Sequence, residues 1–127
     1  MLPRQQCKIL CVDDNLALLE LLQDRLSSAG YSVEVAPNGF RALVTINANL
    51  TKFPVVITDI RMPGLDGYGL IEQSRATGFD GQFIVYAASM TPDHVQRLRE
   101  LNVRQVIEKP VPTSTLVAAI RQAQQGF

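Results

Sequence analysis

Short apolar runs that end in charge recur along this chain, and they dictate its architecture. Ile9-Leu10-Cys11-Val12 closes on Asp13 and Asp14, Pro54-Val55-Val56-Ile57-Thr58 closes on Asp59, and Gln105-Val106-Ile107-Glu108 closes on Lys109. A run of this length, ending in acid and followed by a helical pattern, reads as a buried parallel strand whose C-terminal tip carries the charge. Three acids and one amine at strand tips point to a site for a divalent cation and a transferable phosphoryl group, because carboxylates gathered together repel one another unless cations offset them.

Between these runs the spacing turns helical. Leu16, Leu18, Leu19, Leu21, Leu22 and Leu26 predict a helix over 15–29, with Gly30 where a helix end needs a left-handed residue. A short strand is expected over 32–36 and a helix over 39–48 capped by Asn38. Pro63 lacks an amide donor and Gly64 permits a tight turn, so 61–65 is a loop, after which Asp66 caps a helix over 67–76. A strand over 83–88, a helix opened by Thr91-Pro92-Asp93, a strand over 105–108 and a terminal helix follow. Leu116, Val117, Ala119, Ile120 and Ala123 mark the apolar side of that last helix.

Five strands alternating with five helices imply right-handed crossovers and an α/β fold: a doubly wound, five-stranded parallel sheet, flavodoxin-like, in the order 2-1-3-4-5. Ligands bind such sheets outside the carboxyl ends of the strands, at the switch point between strands 1 and 3. Asp13 and Asp14 therefore face Asp59, with Lys109 arriving from strand 5. At 127 residues and 46% hydrophobic composition the chain matches one domain, 1–127, with a single core. Twelve basic residues cancel twelve acidic ones, so no overall field draws nucleic acid or an anionic membrane. The first six residues lack the apolar stretch of a signal peptide and no run spans a membrane, so a cytoplasmic location is expected. Cys7 and Cys11, about 13 Å apart along one strand at 3.3 Å per residue, lie too far apart for a disulfide and read as small apolar residues in a reducing compartment.

Taken in order, Val12-Asp13-Asp14-Asn15, the stretch Asp59-Ile60-Arg61-Met62-Pro63-Gly64-Leu65-Asp66-Gly67 and Lys109-Pro110 resemble the receiver domain of two-component response regulators. The resemblance covers nearly the whole chain and is similar to the chemotaxis response regulators. It implies a regulatory phosphoacceptor domain in a phosphorelay, not an enzyme turning over a separate substrate. Asp59 would attack the phosphoryl group of a phosphohistidine on a histidine kinase or histidine phosphotransfer protein. Asp14 and Asp59 would ligate Mg²⁺ or Mn²⁺ directly, Asp13 through water, and Arg61 through its backbone carbonyl, while Lys109 would hold a phosphoryl oxygen. Three carboxylates sum to −3, and one such cation with Lys109 supplies +3. The family commonly has a cis bond between this lysine and the following proline.

The chain departs from the family at two positions. Receivers carry Thr or Ser at the tip of strand 4, where this chain has Ala87, and an aromatic three residues before the lysine, where it has Val106. The response to phosphorylation is therefore expected to be weakened or rerouted. Ser89, two residues on, replaces the hydroxyl if the strand stays extended there, or else begins the turn into helix 4. Tyr86 replaces the aromatic or else packs against a helix. Arg61 either pairs with the phosphate or is solvated, and His94 is read as a surface residue.

Two functions remain in play: a phosphorylatable switch, and an interaction module of the same fold that binds independently of phosphate. A metal-dependent phosphatase or nuclease would need a substrate groove and a general acid, and neither is legible. Unless the chain is cut from a longer protein, output is expected through helix 4, strand 5 and helix 5, with Arg97, Arg99, Arg104 and Arg121 as candidate contacts to a downstream protein.

Overall fold

The computed structural model describes residues 7–125. The stretch read for a leader, 1–6, lies outside them. In chain order the elements are β1 (Lys8–Val12), α1 (Leu16–Ser28), β2 (Ser32–Ala36), α2 (Gly39–Ala48), β3 (Val55–Thr58), α3 (Gly67–Ala76), β4 (Gln82–Ala87), α4 (Pro92–Glu100), β5 (Gln105–Glu108) and α5 (Thr113–Gln124). The strands form one parallel sheet in the order β2-β1-β3-β4-β5, as the alternation predicts.

Although the strands read as continuously apolar and the composition suggests a single core, their side chains divide between two, one on each face of the sheet. Leu10, Val12, Val56, Phe83, Val85 and Ala87 pack with α2, α3 and α4 through Ala42, Ile46, Tyr68, Leu70, Ile71 and Leu98. Ile9, Cys11, Val55, Ile57, Ile84 and Tyr86 face the other way, against Leu19, Leu22, Leu26, Leu116, Ala119, Ile120 and Ala123 of α1 and α5. This period-2 split explains why alternation is invisible in the sequence: each face has its own helical cover, so both faces must be apolar.

Local chemistry ends the helices where expected. Asn15, Asn38 and Asp66 each accept an amide hydrogen bond as caps of α1, α2 and α3. Gly30 adopts φ 102°, a left-handed value that a side chain would resist. Thr91 caps α4 with Pro92 behind it. β3 is shorter than the expected run, beginning at Val55 and stopping at Thr58, and β4, Gln82–Ala87, lies one residue earlier than expected. Both cysteines are free, and Cys7 precedes β1. Burial, with the nearby Asp13 charge, pushes the Cys11 thiol up to about 12, which leaves it unreactive.

Candidate functional site

The sheet seats the functional side chains by extending its hydrogen bonding one residue beyond the strands. Asp13 N donates to Ala36 O at 3.2 Å, Asp59 N to Val12 O at 3.0 Å and Lys109 N to Ala87 O at 2.9 Å. Each residue is thus held at a carboxyl tip, and the order of β1 and β3 brings Asp13 and Asp59 to the same crevice. The bond from Lys109 to Pro110 is cis. Gly67 lets α3 start directly beside this crevice, since a Cβ there would lie 2.4 Å from the Asp59 carbonyl oxygen.

Asp13, Asp14 and Asp59 each present a carboxylate oxygen within 4.8 Å of the others. At an effective dielectric near 20, such a separation costs about 3 kcal/mol of repulsion for the Asp13–Asp59 pair. Lys109 offsets part of it, with Nζ 2.6 Å from Asp13 Oδ2 and 3.2 Å from Asp59 Oδ2. Burial pulls the Lys109 pKa down, but hydrogen bonds and charge from Asp13 and Asp59 outweigh it, and the net direction is upward. The lysine is therefore a firm cation at neutral pH.

The three acids are not equivalent. Asp13 is buried and committed, with Oδ1 accepting from Asn15 N at 2.9 Å and Oδ2 from Lys109. Asp14 is exposed. Asp59 is half-buried, with Oδ1 accepting from Ile60 N at 2.7 Å. Of the three, Asp59 alone lines a cavity of about 580 Å³ that continues past Arg61, Ala87, Ser89 and His94 to Tyr68. A hard divalent cation suits this all-oxygen set, so the residues fit the ion that the acids imply.

A model of the response regulator receiver domain family matches residues 9–121. The chain belongs to that family. This receiver domain is 34% identical over 103 residues to the sensor histidine kinase RcsC of Escherichia coli, covering 81% of the chain and 11% of RcsC. It is 35% identical over 114 residues to the probable transcriptional regulator ycf27 of Guillardia theta, covering 90% of the chain and 44% of the relative. The chain thus spans less than half the length of these curated relatives. Among solved structures, a receiver domain protein from Clostridium thermocellum superposes with a TM-score of 0.86 at 26% identity, covering 92% of this chain and 93% of the other. The receiver domain is a regulatory module of two-component systems.

Several sequence expectations change at the rim. Ser89 has φ 55°, so the chain leaves the extended conformation before it, and the premise that placed Ser89 in line with Ala87 does not hold. Ser89 nonetheless lines the same cavity. Tyr86 belongs to the α1–α5 core, the face opposite Ala87, where its hydroxyl accepts from Val111 N at 3.3 Å and its ring lies 5.7 Å from Lys109 Nζ. It is a packed aromatic and no stand-in for one at Val106, which packs against the other core. His94 is more than a surface residue: its Nδ1 accepts from Thr91 N while its own N–H donates to Thr91 Oγ1, closing a capping box at the α4 N-terminus. The candidate basic contacts Arg97, Arg99, Arg104 and Arg121 are all exposed, and Arg97 also stacks on Tyr68 with its guanidinium carbon 3.8 Å from the ring centroid. Tyr68 carried no signal in the sequence, because a tyrosine early in α3 reads as ordinary core.

Proposed function

We propose that this receiver domain accepts a phosphoryl group on Asp59 from a phosphohistidine of a histidine kinase or phosphotransfer protein, in a Mg²⁺-dependent reaction. The observation that carries the reading is the asymmetry of the acids: Asp59 opens onto the cavity, while Asp13 is buried and engaged through both oxygens. An Asp59 carboxylate oxygen attacks phosphorus in line, the N–P bond of the donor breaks as the O–P bond forms, and the histidine leaves with the bond electrons. Lys109, already 3.2 Å from Asp59 Oδ2, takes up the charge on a phosphoryl oxygen, and the Ile60 amide orients the other carboxylate oxygen. A bound divalent cation would be held by Asp14, Asp59, the Arg61 carbonyl and, through water, Asp13, and would supply charge neutralisation. The open cavity beside Asp59 gives a donor histidine access. Output passes to a downstream protein through α4, β5 and α5, and the domain works in the cytoplasm.

Acetyl phosphate supplies the direct test. With Mg²⁺ the protein should gain the mass of one phosphoryl group, mapped by digestion to the peptide containing Asp59, and chelation should prevent it. Addition at another residue, or unchanged yield in chelator, would refute the reading.

The direct ligand should matter more than the water-mediated one. Asp14→Ala is expected to weaken Mg²⁺ binding by roughly tenfold or more, and Asp13→Ala by less. Titration of both variants measures this, and equal affinities would contradict the ligand assignment.

Ala87 and Val106 favour a second reading, in which a partner binds independently of phosphate because the family's hydroxyl and aromatic are absent. Under it, partner capture by wild type would be indifferent to beryllofluoride.

A further inference from the structure

Among the described residues, Tyr68 Oη is the buried side-chain polar atom left without a hydrogen-bond partner. The residue is 6% exposed. Burying a hydroxyl unpaired is costly, and a packed core ordinarily avoids it. Tyr68 lines the same cavity as Asp59 and Ala87, and its ring carries the guanidinium of Arg97 from α4. An orphaned donor, a phosphoacceptor and a vacant hydroxyl position thus share one space.

We propose that Tyr68 supplies from α3 the hydroxyl that Ala87 lacks, donating a hydrogen bond to the phosphoryl group on Asp59 and passing the change to α4 through Arg97. The inference rests on the assignment of Asp59 as phosphoacceptor. It adds the residue that senses the phosphoryl group and the route by which α4 responds.

Three observations favour Tyr68 over Ser89 and His94, two other donors that line the cavity. Ser89 is exposed and is satisfied by solvent before and after phosphorylation, so it gains little. His94 Nδ1 accepts from Thr91 N, which ties the ring to the exposed cap of α4 and leaves Nε2–H as its donor, open to solvent like Ser89 and gaining as little. Tyr68 has an unmet donor in the unphosphorylated state, so a phosphoryl oxygen offers it a difference between states, which alone can shift an equilibrium.

The ring also sits on the correct side of the sheet. Tyr68 packs in the core formed by Val85, Ala87 and Leu98, against which Val106 lies. The aromatic missing from β5 is thereby replaced by one from α3, and a single residue carries both ring and hydroxyl. Burial pushes the Tyr68 phenol upward and Asp66 adds to this, against a downward pull from Arg97 and Arg61, so the group stays protonated at neutral pH and able to donate.

The test uses the whole 127-residue chain with beryllofluoride and Mg²⁺. Fluorine resonances report adduct formation at Asp59, and amide shifts across Pro92–Glu100 report α4. Tyr68→Phe should form the adduct, yet its activation equilibrium should fall by about tenfold or more, as for a lost hydrogen bond to a charged group. Adding Ala87→Thr to Tyr68→Phe should restore the α4 response. The Tm of unliganded Tyr68→Phe should equal or exceed that of wild type, since no bond is lost. An α4 response in Tyr68→Phe equal to wild type, a loss that Ala87→Thr fails to restore, or a clear drop in Tm would each overturn the proposal. A wild type that forms no fluorine adduct would overturn the Asp59 assignment, and this inference with it, which is distinguishable from an adduct without a helix response.

Discussion

Asp59→Asn is expected to abolish the phosphoryl adduct while leaving the fold intact. An amide oxygen is a poor nucleophile beside a carboxylate, so the yield with acetyl phosphate should drop by roughly a hundredfold or more. The substitution is close to isosteric, and asparagine Oδ1 can still accept from Ile60 N, the bond that orients the side chain at 2.7 Å. It removes one of three mutually repelling charges but also the 3.2 Å contact with Lys109, which keeps its shorter bond to Asp13. The two effects oppose each other, so stability in urea should change little, which separates loss of chemistry from loss of structure. Intact-mass spectrometry of wild type and variant, each with Mg²⁺, makes the comparison. Equal adduct in both would place the nucleophile elsewhere.

That such a prediction can be framed from sequence follows from how a parallel sheet is built. Buried strands must be apolar throughout, so the charged residue after each one stands out, and strand order then converts tips distant in sequence into neighbours. Asp13, Asp59 and Lys109 were legible for this reason, as were the caps at Asn38 and Asp66, whose chemistry is local. What the residues could not show was direction at the rim. The orientation of Ser89 depends on its φ of 55°, a property of the whole turn into α4. The face of Tyr86 follows from strand register, and its neighbour Ala87 points the opposite way.

The roles of Tyr68 and His94 escape the sequence for a related reason. A tyrosine early in a helix and a histidine near a helix start are ordinary residues taken singly. Only the packed structure reveals that one hydroxyl is unpaired and that one imidazole closes a cap. Arg97 illustrates the same limit: a candidate surface contact by sequence and exposed in the structure, it also stacks on the Tyr68 ring. The departures at Ala87 and Val106 were visible by resemblance, whereas the unpaired Tyr68 hydroxyl that shares the Ala87 cavity lies on another element and was not.

Lys109→Met should destabilise the protein in the absence of divalent cation, and much less in its presence. The substitution keeps an unbranched chain of similar length but removes the charge paired with Asp13 at 2.6 Å and Asp59 at 3.2 Å. Asp13, with only 4% of its side chain exposed, is left without its cation. Breaking a buried pair costs about 3 to 5 kcal/mol, and the 20% exposure of the Lys109 side chain argues for the lower part of that range or slightly below it. A cation held by the same acids restores positive charge, so saturating Mg²⁺ should shrink the deficit. Because the folded pKa of Lys109 is raised, its stabilising contribution in wild type is complete below the ordinary value of 10.5 and is lost as pH climbs through the higher folded value. The methionine variant should lack that alkaline loss. Denaturant unfolding of both proteins, with and without Mg²⁺ at neutral pH and again above pH 10.5, provides the measurement. A deficit that Mg²⁺ leaves untouched would mean that lost packing, and not the acid cluster, sets the cost; an identical alkaline decline in the two proteins would mean that another group titrates there.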